Sequence, residues 1–154
     1  MIIFLRHHKI QCSVLYKYQK TIVRKGERKN MNGYKVLIEE SSKDLTARER
    51  LMLKDTSDAL KIDELTEDDG LIISPDAYAV LNVHNEKSEN KEYHVYLIID
   101  KNGTKYVTGS ESFWSSFIEI WEDMTEAGEE FEIKCYKLDS KNYKGKKFLT
   151  CSII

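Results

Sequence analysis

The chain has 154 residues, 41% of them hydrophobic and 32% charged, with a single proline and no low-complexity tract. That suffices for one domain with a proper core, is short for two, and needs no covalent staples. The net charge of −2 hides a split. Residues 1–30 hold eight Lys or Arg against Glu27, a balance of +7, whereas the remainder holds 16 basic against 25 acidic residues, a balance of −9.

No apolar run approaches the roughly 20 residues of a membrane span. The opening Ile2-Ile3-Phe4-Leu5 is too short for a signal-peptide core and has no small-residue cleavage site behind it. For residues 1–30 three readings stand open: a basic nucleic-acid-binding arm, a disordered tail, or translated upstream sequence with the true start at Met31. Composition changes sign there, and strand patterning begins there. His7-His8 lacks further ligands and reads as solvated rather than metal-binding. The expected organisation is a basic segment over 1–30 and a single domain over 31–154. Cys12, Cys135 and Cys151 form no Cys-x-x-Cys spacing, so neither a zinc site nor a disulfide framework is indicated. Cys135 and Cys151 lie in apolar strands and read as buried thiols in a reducing, cytoplasmic compartment.

After Gly33, the β-branched run over 33–40 reads as a strand. Thr46-Ala47-Arg48-Glu49 is a capping box, opening a short helix to about Lys54. Over 56–73, two short apolar pieces (59–62 and 71–73) read as strands flanking an exposed acidic loop, 63–69, with a turn at Asp68-Asp69-Gly70. That loop lacks the aspartate spacing of a calcium site. Strands follow over 78–84 and 93–100. Next come an Asn102-Gly103 turn, a strand over 105–108, and a helix over 111–124 capped by Ser110. The helix sets Phe113, Phe117, Ile120, Trp121 and Met124 on one stripe, widened by Trp114 and Ile118. Trp114 serves either as packing or as a stacking platform. Strands over 130–138 and 147–153 close the chain, joined by a hairpin at Lys144-Gly145.

Three strands, a helix and two strands match a mostly β, OB-fold-like barrel, with the amphipathic helix between strands 3 and 4 plugging one end and a short helix near the N-terminus. A parallel fold would need more helices. The chain carries no Gly-x-Ser-x-Gly elbow, phosphate loop, His-Glu-x-x-His or Cys/His pair, so it reads as a non-enzyme with no catalytic or metal residues.

Lysines interleaved with aromatics stand out: Lys105-Tyr106, Lys134 and Tyr136, then Lys141, Tyr143, Lys144, Lys146 and Lys147 ahead of Phe148. Single-stranded nucleic acid is held this way, because each base offers a face for stacking and each nucleotide a phosphate to neutralise. In the strand over 130–138, Phe131, Ile133 and Cys135 form a core face, so Lys134 and Tyr136 point outward together. Tyr78, His84, Tyr93, His94 and Tyr96 could extend the surface, although buried tyrosines bonded at the hydroxyl are commoner. The bland reading of the 141–148 hairpin is a solvated turn whose lysines keep an edge strand from aggregating.

The stretches Asn102-Gly103-Thr104-Lys105-Tyr106-Val107-Thr108-Gly109-Ser110-Glu111-Ser112-Phe113 and Ser140-Lys141-Asn142-Tyr143-Lys144-Gly145-Lys146-Lys147-Phe148-Leu149-Thr150-Cys151-Ser152-Ile153 resemble the small single-stranded DNA-binding proteins of bacteriophages and conjugative elements of Gram-positive bacteria. The likeness covers roughly residues 33–154. It implies an OB-fold, sequence-tolerant binding of single-stranded DNA in replication or transfer, no cofactor, and room for homo-oligomeric or cooperative assembly on DNA. It carries over Lys105, Tyr106, Tyr143, Lys144, Lys146 and Lys147. Because the matching segment is acidic overall, binding would depend on a local basic face. A second class of function is an acidic protein-interaction module that meets a basic host factor or mimics DNA without binding nucleic acid.

Overall fold

The run after Gly33 forms strand β1 (Tyr34–Ser41), and the capping box opens helix α1 (Ala47–Lys54). Both halves of the box are made: the Glu49 amide donates to Thr46 Oγ1 at 3.2 Å and the Thr46 amide to the Glu49 carboxylate at 2.7 Å. These coordinates come from a computed structural model describing residues 33–67 and 69–154. The basic segment 1–30, with His7-His8 and Cys12, and Asp68 of the acidic stretch lie outside the described residues.

Strand β2 (Leu60–Lys61) is shorter than the expected 59–62 piece, because Ile62 opens a one-turn helix, α2 (Ile62–Leu65). Burying Ile62 completely and closing the turn with the Thr66 hydroxyl on the Ile62 carbonyl at 2.9 Å favours helix over extension. The acidic stretch expected as loop is therefore helical in its first half. Strands β3 (Leu71–Ile73) and β4 (Pro75–Asn85) follow, separated only by Ser74.

The Asn-Gly turn joins β5 (Glu92–Asp100) to β6 (Lys105–Thr108), with Gly103 at φ +83°. Asp100 Oδ1 accepts from the Asn102 and Thr104 amides, each at 2.9 Å, so a buried carboxylate clamps the turn. Helix α3 (Glu111–Ala127) starts at Ser110, whose Oγ accepts from the Phe113 amide at 3.3 Å. It runs one turn past Met124 and stops at Gly128, which adopts the left-handed conformation. Strands β7 (Ile133–Asp139) and β8 (Lys147–Ile153) complete the chain. Strand β7 begins at Ile133 rather than 130, where pairing with β3 and β8 starts.

The protein is mostly β. Among the described residues the strands form a five-stranded sheet, ordered β1-β4-β5-β6-β2, and a three-stranded sheet, ordered β3-β7-β8. All pairings are antiparallel except β2 with β6. The two sheets do not close into the expected barrel. The free edge of β6 is taken by β2. Beside β8 lies α3, whose Ser112 hydroxyl donates to the Leu149 carbonyl at 3.0 Å. The edges that would seal the seam are thus already occupied.

The sheets share one bent strand. At Ser74 the chain leaves the small sheet as β3 and enters the large one as β4. The corner is tied on both sides: the Lys101 amide donates to the Ser74 carbonyl at 3.0 Å, and the Ser74 hydroxyl to Glu132 at 2.8 Å. Between the sheets lies the main core, in which Phe113 and Phe117 of α3 meet Ile73, Ile98, Ile133, Cys135, Leu149 and Cys151, with Ile62 beneath. A second cluster lies on the other face of the large sheet, where Leu53 of α1 packs with Ile38, Ala79, Leu81 and Leu97.

Phe117 contacts both sheets' share of this core, so Phe117→Ala is expected to cost about 3–5 kcal/mol in a urea unfolding titration. A loss below about 1 kcal/mol would contradict its place at the centre of the fold.

Candidate nucleic-acid interface

Alternation along β7 and β8 sets their residues on two faces, with Lys137 and Lys147 on the core-facing register at its open end. Ile133, Cys135, Leu149 and Cys151 face the core and are buried. Burial pushes both thiols upward, Cys151 to about 12 and Cys135 higher still with Cys151 beside it, so both remain protonated core groups. On the opposite face the register sets Ile72 beside Lys134, Lys134 beside Ser152, Tyr136 beside Thr150, and Leu138 beside Phe148. Ile72, Leu138 and Phe148 are exposed there and Tyr136 is half-buried. Singly exposed apolar residues are ordinary, and here three of them share one sheet face with Lys134 and Tyr136.

The β7–β8 hairpin extends this face. The Ser140 amide donates to the Lys146 carbonyl at 2.8 Å, the Lys146 amide to the Tyr143 carbonyl at 3.1 Å, and the Tyr143 amide to Ser140 Oγ at 3.3 Å. Gly145 turns the chain at φ +79°. These bonds hold Tyr143 outward with 64% of its surface exposed, and the Lys146 ammonium lies 5.4 Å from its ring centroid, a cation–π contact. Lys134, Lys141, Lys144, Lys146 and Lys147 are exposed, and none forms an ion pair among the described residues. Seven of the nine residues singled out from the sequence therefore sit on this ladder and its hairpin.

Lys105 and Tyr106 do not join them. Only 13% of the Lys105 side chain is exposed, and its ammonium donates to the Met52 carbonyl at 2.8 Å, the Asp55 carbonyl at 3.0 Å and Asp58 Oδ1 at 3.1 Å. All three protons are engaged, and two meet carbonyls at the end of α1, where a cation suits the helix dipole. Tyr106 packs on the main core, and burial, then the nearby Asp100 charge, raises its hydroxyl above the ordinary tyrosine value. Helix α2 separates this pair from β7: Asp63 accepts from the Thr108 hydroxyl of β6 at 2.8 Å through its side chain and from Lys137 of β7 at 2.7 Å through its carbonyl.

The other aromatics considered from the sequence are largely engaged. Tyr78 packs edge-on against Trp114 and Trp121 and donates to Glu40 at 2.8 Å. Tyr96 stacks on Trp114, the centroids 4.7 Å apart, which places Trp114 in packing. His94 meets Glu39 at 2.9 Å. Among the described residues no group of three or more His, Cys, Asp or Glu is gathered as metal ligands, and no helix is long and apolar enough to cross a membrane.

Alternation over 130–138 already sets Leu138 outward with Lys134 and Tyr136, and Lys137 with the core face. Ile72 as an outward residue and Lys137 as a tie to α2 were missed: the period-2 pattern contained the first, whereas the second depends on a contact 74 positions away. No family model, curated protein or solved structure matches this chain.

The bonding of Lys105 yields a test. Lys105→Met is expected to lower stability by about 1.5–3 kcal/mol, the range for hydrogen bonds to a charged group. Chemical denaturation measures this, and an unchanged midpoint would contradict the anchoring role.

Proposed function

We propose that this chain is a sequence-tolerant single-stranded DNA-binding protein acting in phage or mobile-element replication or transfer, built as an OB-like barrel left open at one seam. The observation that carries the reading is the outward face of β7 and β8 with its hairpin, where Tyr136, Tyr143 and Phe148 stand among exposed lysines that form no ion pair with the described residues. Stacking on such rings contributes about 1–3 kcal/mol per base without regard to sequence, and the ammoniums neutralise phosphates. No catalytic group or cofactor is needed for this work.

Taking β3 and β4 together as the first barrel strand makes β5 and β6 the second and third and β7 and β8 the fourth and fifth. The 140–146 loop then corresponds to the loop between strands 4 and 5, one of those with which OB-folds hold oligonucleotides. The usual face of strands 2 and 3 is covered by α1, with Leu53 on Leu97 and Lys105 on the helix end. Binding on this chain shifts accordingly to the small sheet. The resemblance of 140–153 to phage and conjugative single-stranded DNA-binding proteins supports the same region.

A second reading has its own observation: Glu119, Glu122, Asp123 and Glu129 are exposed on and just beyond the far end of α3, an acidic surface suited to a basic protein partner. The two are separated by fluorescence anisotropy with labelled oligo-dT at low and moderate salt. Binding is expected at low salt, with log K falling against log salt at a slope of about −3, from about −0.7 per neutralised phosphate. Tyr143→Ala combined with Lys144→Ala should weaken it by about tenfold or more. Absence of binding at both salts, with a basic protein retained in a pull-down, would favour the acidic surface instead.

A further inference from the structure

Beside the outward face lies a groove of about 390 Å³, lined by Thr66, Glu67, Asp69 and Gly70 on one side and by Lys134, Tyr136, Lys137 and Lys147 on the other. It exists because β3 is short. Pairing of β3 with β7 runs only from Ile73↔Ile133 to Leu71↔Cys135, so beyond Cys135 no strand lies beside this edge of β7 among the described residues. The wall of Thr66, Glu67, Asp69 and Gly70 stands there instead.

Its position is set at both ends. Before it, the buried Thr66 closes α2, and Lys137 of β7 donates to the Asp63 carbonyl at 2.7 Å. After it, Gly70 at φ +83° presses so closely on β7 that an added Cβ would stand 2.9 Å from the Cys135 carbonyl oxygen. The two walls carry opposite charge. Lys134 and Lys147 are exposed on one, beside Tyr136, and Glu67 and Asp69 are exposed on the other. The volume is at the small end of ligand sites, which span about 300–1,000 Å³, and suits one nucleotide unit rather than two paired strands.

We infer that this groove is a one-strand subsite: Lys134 and Lys147 take the phosphates of a single strand, Tyr136 takes a base, and the carboxylates of Glu67 and Asp69 turn away a second backbone. The inference rests on the proposed single-strand binding and adds to it the means of rejecting duplex. A lone strand can lay its phosphates along the lysine wall and its base between the walls. A duplex carries a second line of phosphates that cannot reach the lysines without approaching the acidic wall, where like charges repel.

The test measures anisotropy of labelled oligo-dT and of a labelled duplex of equal length with the full chain and with the double variant Glu67→Gln/Asp69→Asn, both changes being at exposed positions. The double variant is expected to narrow the preference for dT over duplex by about 3- to 10-fold, mostly by strengthening duplex binding, as the loss of two exposed repulsive charges implies. Lys134→Ala with Lys147→Ala should weaken dT binding by about tenfold, circular dichroism confirming the fold. Intact dT binding with an unchanged preference, or equal gains for dT and duplex, would overturn the duplex-rejecting wall alone. A chain that binds neither probe would overturn the single-strand reading and this subsite with it.

Discussion

The corner at Ser74 is the constraint on which the rest of this structure depends. A single strand enters the small sheet as β3 and leaves in the large one as β4, so the two sheets diverge from a shared line instead of stacking as separate layers. Pro75 supports the break, because it cannot donate to a ladder and its register shifts before Ala77. Bonds from Lys101 and to Glu132 tie the corner to both neighbours. The wedge between the sheets is then filled by Phe113 and Phe117, completely buried on α3. Were the strand to run straight, α3 would lose one of its two walls.

The same geometry decides what stays on the surface. Because β3 ends early and α3 lies along β8, the small sheet presents one face to the core, and no described element covers the other. The outer face of the large sheet is covered instead, with α1 held there by Leu53 and by the Lys105 ammonium at its C-terminal carbonyls. Average charge is a poor guide to this arrangement. Exposed acidic residues line the far end of α3 and the segment after it, whereas five exposed lysines of β7, β8 and their hairpin form no ion pair among the described residues.

What was legible in the sequence was local. The Thr46 capping box, the Ser110 cap, the Asn-Gly turn and the stripe of α3 are written within a few residues of one another, and each appears as expected. The mostly β character appears as expected too, with helix α3 lying between β6 and β7. Features set by distant contacts were not legible. Ile62 leaves its strand for a helix because a core forms above it, and β2 finds β6 in parallel, which closes the edge a barrel would need. Lys105 looked like a phosphate ligand beside Tyr106 because its true partners lie 47 to 53 positions earlier in the chain. The hairpin lysines were easier to place, since a glycine turn between two amphipathic strands leaves its tip in solvent.

In the proposed function the outer face of β7 and β8, and not the acidic end of α3, meets single-stranded DNA. Its most direct test is a titration of the isotope-labelled full chain with oligo-dT, followed by amide chemical shifts. The account predicts shift changes concentrated over residues 134–150, with residues 119–130 nearly still. Changes centred on 119–130, or none anywhere at saturating oligonucleotide, would contradict it.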